Sequence, residues 1–255
     1  MLKADLHTHS NFSHDGHSSI SEMCEAAIAA GLQHLCLTDH YDFVTDPQNH
    51  YYTDYDDCLA HAAVAKKKFA GRINLLCGLE AGSMHRNADG AAKLHGFAVD
   101  MIIGSVHDFG PIFLGDPLLP EKFAPHEIFS AYFDEILAMV RFGGFDTIGH
   151  IDFPARYTKT PTLILPVIET IFREALAKNI IIEINTSPLR KGMDFTLPCE
   201  EILRIYRDCG GRFITTGSDA HRASDVAANF DRAEELLKRF ALTPVIFVNR
   251  TMQER

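Results

Sequence analysis

Leu2-Lys3-Ala4-Asp5-Leu6-His7-Thr8-His9-Ser10 opens the chain as a short strand candidate that runs straight into two histidines one residue apart. Side chains alternate faces along an extended strand, so His7 and His9 project to the same side if the strand continues. The pattern recurs down the chain. The apolar run at 35–38 leads into Asp39-His40, that at 73–79 into Glu80, and that at 101–106 into His107. The run at 147–151 carries His150, 180–185 closes on Asn185, and 213–217 leads into Ser218-Asp219-Ala220-His221, where Asp219 and His221 repeat the spacing of His7 and His9.

Segments of helical periodicity lie between these runs, near 19–30, 54–70, 125–142, 161–178, 198–209 and 225–240. Ser19 followed by Glu22 is a capping-box pattern. Pro125, Pro161 and Pro198 stand where a first helical turn tolerates proline, and Gly31 and Gly210 are C-cap candidates. Strands alternating with helices predict an α/β fold with a parallel sheet: a closed or nearly closed seven-stranded barrel, or an open doubly wound sheet. In such folds the C-terminal strand ends build the functional site, so six strands would deliver a His or an acid to one rim. The segment 107–124, with Gly110, Pro111, Gly115, Pro117 and Pro120, reads as a long loop over one end. No linker or low-complexity stretch divides the chain, and a single domain over 1–255 is expected.

Hydrophobic residues make up 46% and charged residues 23% of the 255, the balance of a globular protein with a sizeable core. A net charge of −10 argues against nucleic acid or an anionic membrane as partner. The six cysteines, at 24, 36, 58, 77, 199 and 209, include no CxxC pair and read as reduced thiols, with Cys36 and Cys77 buried. With no apolar leader and no 18-residue apolar run, a cytoplasmic protein is expected. Fourteen histidines are the unusual number. One HxH or one strand-end histidine is commonly only a satisfied polar residue. Six strand ends agreeing point to metal.

These motifs resemble those of the polymerase-and-histidinol-phosphatase (PHP) superfamily. DLHTHS at 5–10, LTDH at 37–40, GLE at 78–80, GSVH at 104–107, GHID at 149–152 and GSDAH at 217–221 follow its order across nearly the whole chain. Gly149-His150-Ile151-Asp152 to Arg156-Tyr157, Glu183-Ile184-Asn185-Thr186-Ser187 to Arg190, and Gly210-Gly211 to His221 are similar to its histidinol-phosphatase branch. The resemblance implies a distorted seven-stranded (β/α) barrel and a trinuclear metal centre. It assigns His7, His9, Glu80 and Asp219 to one ion. Glu80, bridging, joins His107 and His150 around a second, and Asp15, His40 and His221 hold a third. The chain departs from the family pattern at Asp15, where many members have His, and at Pro188 and Asp108.

Six histidines, two aspartates and one glutamate suit Zn²⁺, Mn²⁺ or Fe²⁺ better than Mg²⁺ or Ca²⁺. The chemistry expected is attack of a metal-activated hydroxide on a phosphate monoester, with Asp219 or His221 protonating the leaving group and Glu80 bridging. Arg156 and Arg190, each shortly after a strand end, are the candidate phosphate binders, and Arg222 ranks third. A solvated ion pair is the plainer reading for each. Asp5, Asp39 and Asp152 either orient histidines from behind or satisfy local backbone, and Asn185 either touches substrate or caps a loop. Histidines 14, 17, 34, 50, 61, 85, 95 and 126 fall outside the motif, and most are expected at the surface, with His14 the exception to watch. Phe129, Phe133 and Phe142 read as core. The branch resemblance implies hydrolysis of L-histidinol phosphate. The alternatives are another small monoester or a nucleotide phosphodiester as substrate, or a module that binds metal without catalysis. The sequence leaves the oligomeric state open.

Overall fold

A computed structural model of the protein describes residues 2–42, 54–110, 112–116 and 118–254. Pro111, Pro117 and His50 lie outside them. Seven parallel strands follow one another in space as in sequence: Ala4–Thr8, His34–Leu37, Asn74–Gly82, Met101–Ser105, Thr147–Ile148, Ile181–Asn185 and Phe213–Gly217. They are called the first to seventh strands below. Each falls on a predicted run. The order of neighbours is that of a (β/α) fold, in which every connection crosses over and places its helix on the outer face.

The sheet curls until its ends meet. The first strand reaches the seventh through a parallel bridge between Thr8 and Ala220, with His9 N donating to Ala220 O and Asp219 N to His7 O, both at 2.8 Å. That contact lies at the C-terminal end of the strands. At the opposite end Thr216 Oγ1 donates to Ala4 O at 3.2 Å, beside a cleft of about 650 Å³ lined by Lys3, Ala4, Thr216 and Thr243 among others. An isolated backbone bridge, not a continuous ladder, joins the first and seventh strands, in keeping with a distorted barrel.

Inward-facing residues, two apart along each strand, change character along the barrel axis. In the third strand they are Leu76, Gly78 and Glu80. In the sixth they are Ile181, Glu183 and Asn185, and in the fourth Met101, Ile103 and Ser105, with His107 next. The apolar half closes on itself: Leu6, Cys36, Leu76, Met101, Ile103 and Ile181 pack with Val245, Ile246 and Phe247. The polar half is left to the site. Outside the sheet, Phe129, Phe133, Ile168, Phe172, Ile202 and Tyr206 are buried in the layer between strands and helices.

Helices Ile20–Ala29, Tyr55–Lys68, Pro125–Phe142, Leu165–Ala177, Glu200–Asp208 and Phe230–Arg239 match the predicted segments. The Ser19–Glu22 capping box forms, and Gly31 and Gly210 take positive φ just past their helices. Pro125 occupies the first turn, but Pro161 and Pro198 do not. Leu165 starts one helix with Pro166 in its first turn, and Pro198 precedes Cys199, the N-cap of the other, after a cis peptide bond. Phe142 closes its helix at 42% exposure and is not core. The helix Ala88–Leu94 and the antiparallel pair Thr243–Val248 and Thr251–Glu254 were not anticipated. The 107–124 segment is partly structured, with a two-residue hairpin (Asp108–Phe109 with Ile112–Phe113) and a helical turn at Leu119–Lys122.

Candidate metal centre

Five histidines surround one carboxylate. Glu80, 1% exposed at the end of the third strand, places Oε1 2.9 Å from His150 Nε2 and 3.3 Å from His107 Nε2. Its Oε2 lies 3.0 Å from His40 Nδ1, 3.4 Å from His7 Nε2 and 3.5 Å from His9 Nε2. Asp219 Oδ1 approaches the same side, 3.5 Å from His9 Nε2 and 3.9 Å from His7 Nε2. Further out, Asp15 Oδ2 is 3.0 Å from His221 Nε2 and Oδ1 is 3.6 Å from His40 Nε2. All nine predicted ligand candidates thus gather at one rim.

Local backbone explains how they get there. The first strand has an irregularity between Asp5 and Thr8, so that consecutive residues Leu6 and His7 both reach the interior, one packing with Leu76 and the other facing Glu80. His150 and Asp219 adopt positive φ, +23° and +55°, which re-aims both side chains. Conformations of that kind cost on the order of 1–3 kcal/mol and persist where the surroundings over-determine them. Here Glu183 Oε1 accepts from His150 N at 2.8 Å, and His7 O accepts from Asp219 N.

Buried donors left without partners test whether the residues fit metal. Among the described residues, His7 Nε2, His9 Nε2 and Asp15 Oδ1 are buried and make no hydrogen bond. Metal–ligand bonds of about 2.1 Å at a tetrahedral angle put neighbouring ligand atoms about 3.4 Å apart. His7 Nε2 to Glu80, His9 Nε2 to Glu80 and to Asp219, and His107 Nε2 to His150 Nε2 lie at 3.4, 3.5, 3.5 and 3.4 Å. Such spacings are long for hydrogen bonds and right for atoms sharing a cation. The residues fit divalent metal.

The electrostatics divide the histidines. Burial opposes ionisation of Glu80, but His7, His107 and His40 outweigh it and hold the carboxyl well below its usual range. Burial likewise opposes charge on His7, where Glu183 and Glu80 prevail and raise it. His9 goes the other way: burial, with His221 and His40 beside it, lowers it to about 3, leaving the neutral imidazole that a ligand requires.

Arg156 Nη2 donates to Asp219 Oδ2 at 2.7 Å and to Ser187 Oγ at 2.6 Å, its guanidinium lies 4.6 Å over the Phe153 ring, and its Nε is buried without a partner. Arg190 donates to the carbonyls of Ser218 and Asp219 at 2.6 and 3.0 Å, bracing the seventh strand's end. Arg222 is exposed. Asp5 takes the Ser218 and Ala227 amides and Asp152 the Cys199 amide, whereas Asp39 takes the amides and hydroxyls of Ser10 and Ser13, and Ser13 Oγ lies 3.2 Å from His9 Nδ1, so Asp39 backs that histidine through Ser13. The acid directly behind a histidine is Glu183, 2.9 Å from His7 Nδ1. Its signal was available, an acid two residues before Asn185 on a strand whose other residues are isoleucines. Asn185 Nδ2 touches Glu183 and Asp219, and its Oδ1 accepts from Ser187. Asp42, 3.8 Å from His107 Nδ1, also went unnoticed, being hidden in a short strand beyond His40. Of the remaining histidines, 14, 17, 61, 95 and 126 are exposed, His34 is buried and His85 half-buried. The His14 ring lies 5.3 Å from that of His40, tilted by 31°.

The profile of the PHP domain matches residues 5–187. A probable phosphatase of Photobacterium profundum is 31% identical over 241 residues, covering 92% of this chain and 84% of that one. The histidinol-phosphatase of Lactococcus lactis subsp. lactis (strain IL1403) is 27% identical over 253 residues, covering 94% and 91%. A crystal structure of histidinol phosphate phosphatase from the same organism, complexed with zinc, L-histidinol and phosphate, superposes with a TM-score of 0.88 at 26% identity, covering all of both chains. On the family match and the strand-end residues that carry it, this chain belongs to the PHP domain family.

Proposed function

We propose that the protein is a metal-dependent phosphatase that hydrolyses L-histidinol phosphate to L-histidinol and phosphate. The observation that carries the chemistry is the convergence of Glu80 with His7, His9, His40, His107 and His150 on one buried rim. The substrate comes from the histidinol-phosphatase of Lactococcus lactis, which this chain resembles along almost its full length. Three divalent ions, Zn²⁺, Mn²⁺ or Fe²⁺, suit the donor set. His7, His9, Glu80 and Asp219 would hold one, Glu80, His107 and His150 the second, and Asp15, His40 and His221 the third. Bound there, they supply Lewis-acid polarisation of the phosphoryl group and acidify water.

The chain's own residues do the rest. Arg156 offers a buried, unpartnered Nε beside Asp219 and is the better-placed phosphate donor. Arg190 shares that task after bracing the backbone at Ser218. Asp219 Oδ2 is committed to Arg156, Ser187 and Asn185, and His221, a quarter exposed, sets Nδ1 3.0 Å from the Asp219 carbonyl and Nε2 3.0 Å from Asp15. Asp219 and His221 are the two candidate proton donors to the departing alkoxide. A single domain over 1–255 fits this reading, since the seventh strand, beyond the matched 5–187, supplies Asp219 and His221.

A small phosphorylated molecule is the expected partner, rather than nucleic acid or membrane. No helix among the described residues is long and apolar enough to cross a membrane, and all six cysteines are free, in keeping with a cytoplasmic site of action. The relative from Photobacterium profundum, named only as a probable phosphatase, keeps another small monoester as the second reading. Purified protein assayed with L-histidinol phosphate, an aryl phosphate and a short oligonucleotide separates these. Preferential turnover of histidinol phosphate is expected. Hydrolysis of the oligonucleotide with histidinol phosphate ignored rejects the assignment.

A further inference from the structure

Glu183 belongs to none of the ligand groups, yet it is tied to two of them. It is 1% exposed, and its carboxylate lies 2.9 and 3.1 Å from His7 Nδ1. With Nδ1 committed to that acid, the lone pair of Nε2 is left to face Glu80 and Asp219, as a metal-binding imidazole requires. The same Oε1 accepts from the backbone N–H of His150 at 2.8 Å, holding the residue at its positive φ, and from Asn185 Nδ2 at 3.0 Å. Space for this carboxylate is reserved by two glycines. A Cβ at Gly217 would lie 3.0 Å from Glu183 Oε2, and one at Gly149 would lie 3.6 Å from Oε1.

We infer that Glu183 is a positioning residue that fixes two metal-binding histidines at once, His7 through its ring and His150 through its backbone. The two inner ion sites then depend on it, while the outer group of Asp15, His40 and His221, which Glu183 does not touch, stands independently. This rests on reading the rim as a metal centre, and it is silent on which phosphoester that centre takes.

The test uses the full chain, stripped by a chelator and titrated with Zn²⁺ against a chromophoric competitor, in wild type, Glu183→Gln and Glu183→Ala. Loss of an outer partner to a metal-binding histidine commonly costs 10–100-fold in metal affinity. The expected result is inner-site Zn²⁺ affinity reduced about 10-fold in Glu183→Gln and toward 100-fold in Glu183→Ala, with the outer ion held as in wild type. Circular dichroism of the metal-free proteins reports folding. If Glu183→Ala fails to fold, Glu183→Gln, which keeps the volume and an acceptor oxygen, carries the comparison. Unchanged affinity in Glu183→Gln, or equal weakening of all the ions as a merely structural defect would give, overturns the inference. A wild-type chain that takes up no Zn²⁺ overturns the metal reading along with it. Turnover is not part of the readout, so a wrong substrate leaves the result intact.

Discussion

Gly217→Ala is the sharpest probe of how tightly the seventh strand meets the first. A Cβ at that position would stand 2.3 Å from His7 Cβ and 3.3 Å from His7 Cα, as well as 3.0 Å from Glu183 Oε2. Carbon atoms prefer about 3.5–4.0 Å, so the closest contact is more than 1 Å short. The partner is one bond from the main chain, and no rotamer change relieves the clash. The strands must part. Overpacking of this kind costs about 1–3 kcal/mol, and the backbone-level contact places Gly217→Ala at the upper end. For a chain of this size that corresponds to a melting temperature roughly 6–12 °C lower. Parting the strands also draws His7 Nε2 away from Glu80 and Asp219, so bound zinc should fall in step. Thermal melts of metal-free and zinc-loaded protein, with elemental analysis of the zinc retained, measure both effects. Gly71→Ala is the control, because nothing lies within 4 Å of its Cβ and its φ of +77° brings only local strain. A Gly217→Ala protein melting within about 2 °C of wild type, with its zinc intact, refutes the close approach of the two strands.

Other outcomes follow from the same geometry. His9→Ala removes a buried ligand candidate while leaving the fold in place, and turnover should drop by roughly 10³-fold or more as several kcal/mol of metal-supplied stabilisation are lost; persisting activity with an unchanged dichroism spectrum would favour a passive metal site. Arg156→Lys keeps the charge but loses the planar fork, and kcat/KM should fall about 10- to 150-fold, from hydrogen bonds to charged groups worth about 1.5–3 kcal/mol. Steady-state kinetics on histidinol phosphate check this, and an unaltered kcat/KM removes Arg156 from the phosphate site. Burial raises the Asp152 carboxyl to about 7, against about 3.9 in an unfolded chain. Between those values the folded state binds the extra proton, so this group's contribution to stability declines as pH climbs from about 4 to about 7. Asp152→Asn should flatten that decline in urea titrations at pH 5 and 7.5; parallel pH dependences in the two proteins would count against it.

Much of this protein was legible in its sequence because its signals are local and repeated. Seven runs of apolar residues, six of them followed by a helical period, specify parallel strands and outer helices, and the Ser19–Glu22 box and Gly31 mark helix ends through contacts spanning a few residues. The ligand candidates were legible for a related reason. In a parallel sheet all C-terminal ends lie on one side, so side chains from Thr38-Asp39-His40 to Ser218-Asp219-Ala220-His221 must converge if the strands are called correctly. Tertiary structure alone decided the finer matters. Which acid stands behind His7 depends on the lateral reach of Glu183 across the barrel, a contact between residues 176 positions apart. That His150 faces Glu80 depends on a positive φ that the sixth strand's acid helps to hold, not on strand alternation. Asp5 and Asp152 look like histidine partners in one dimension and prove to accept amides from elsewhere in the chain in three, while Asp39 reaches His9 only through Ser13. The final pair of strands, whose Val245, Ile246 and Phe247 fill the apolar end of the barrel, gains its place from the space that the other strands leave and from parallel pairing of Thr243 and Pro244 with Phe213 and Ile214. Periodicity fixes which way a side chain starts out; what it meets is set by strands that come from elsewhere in the chain.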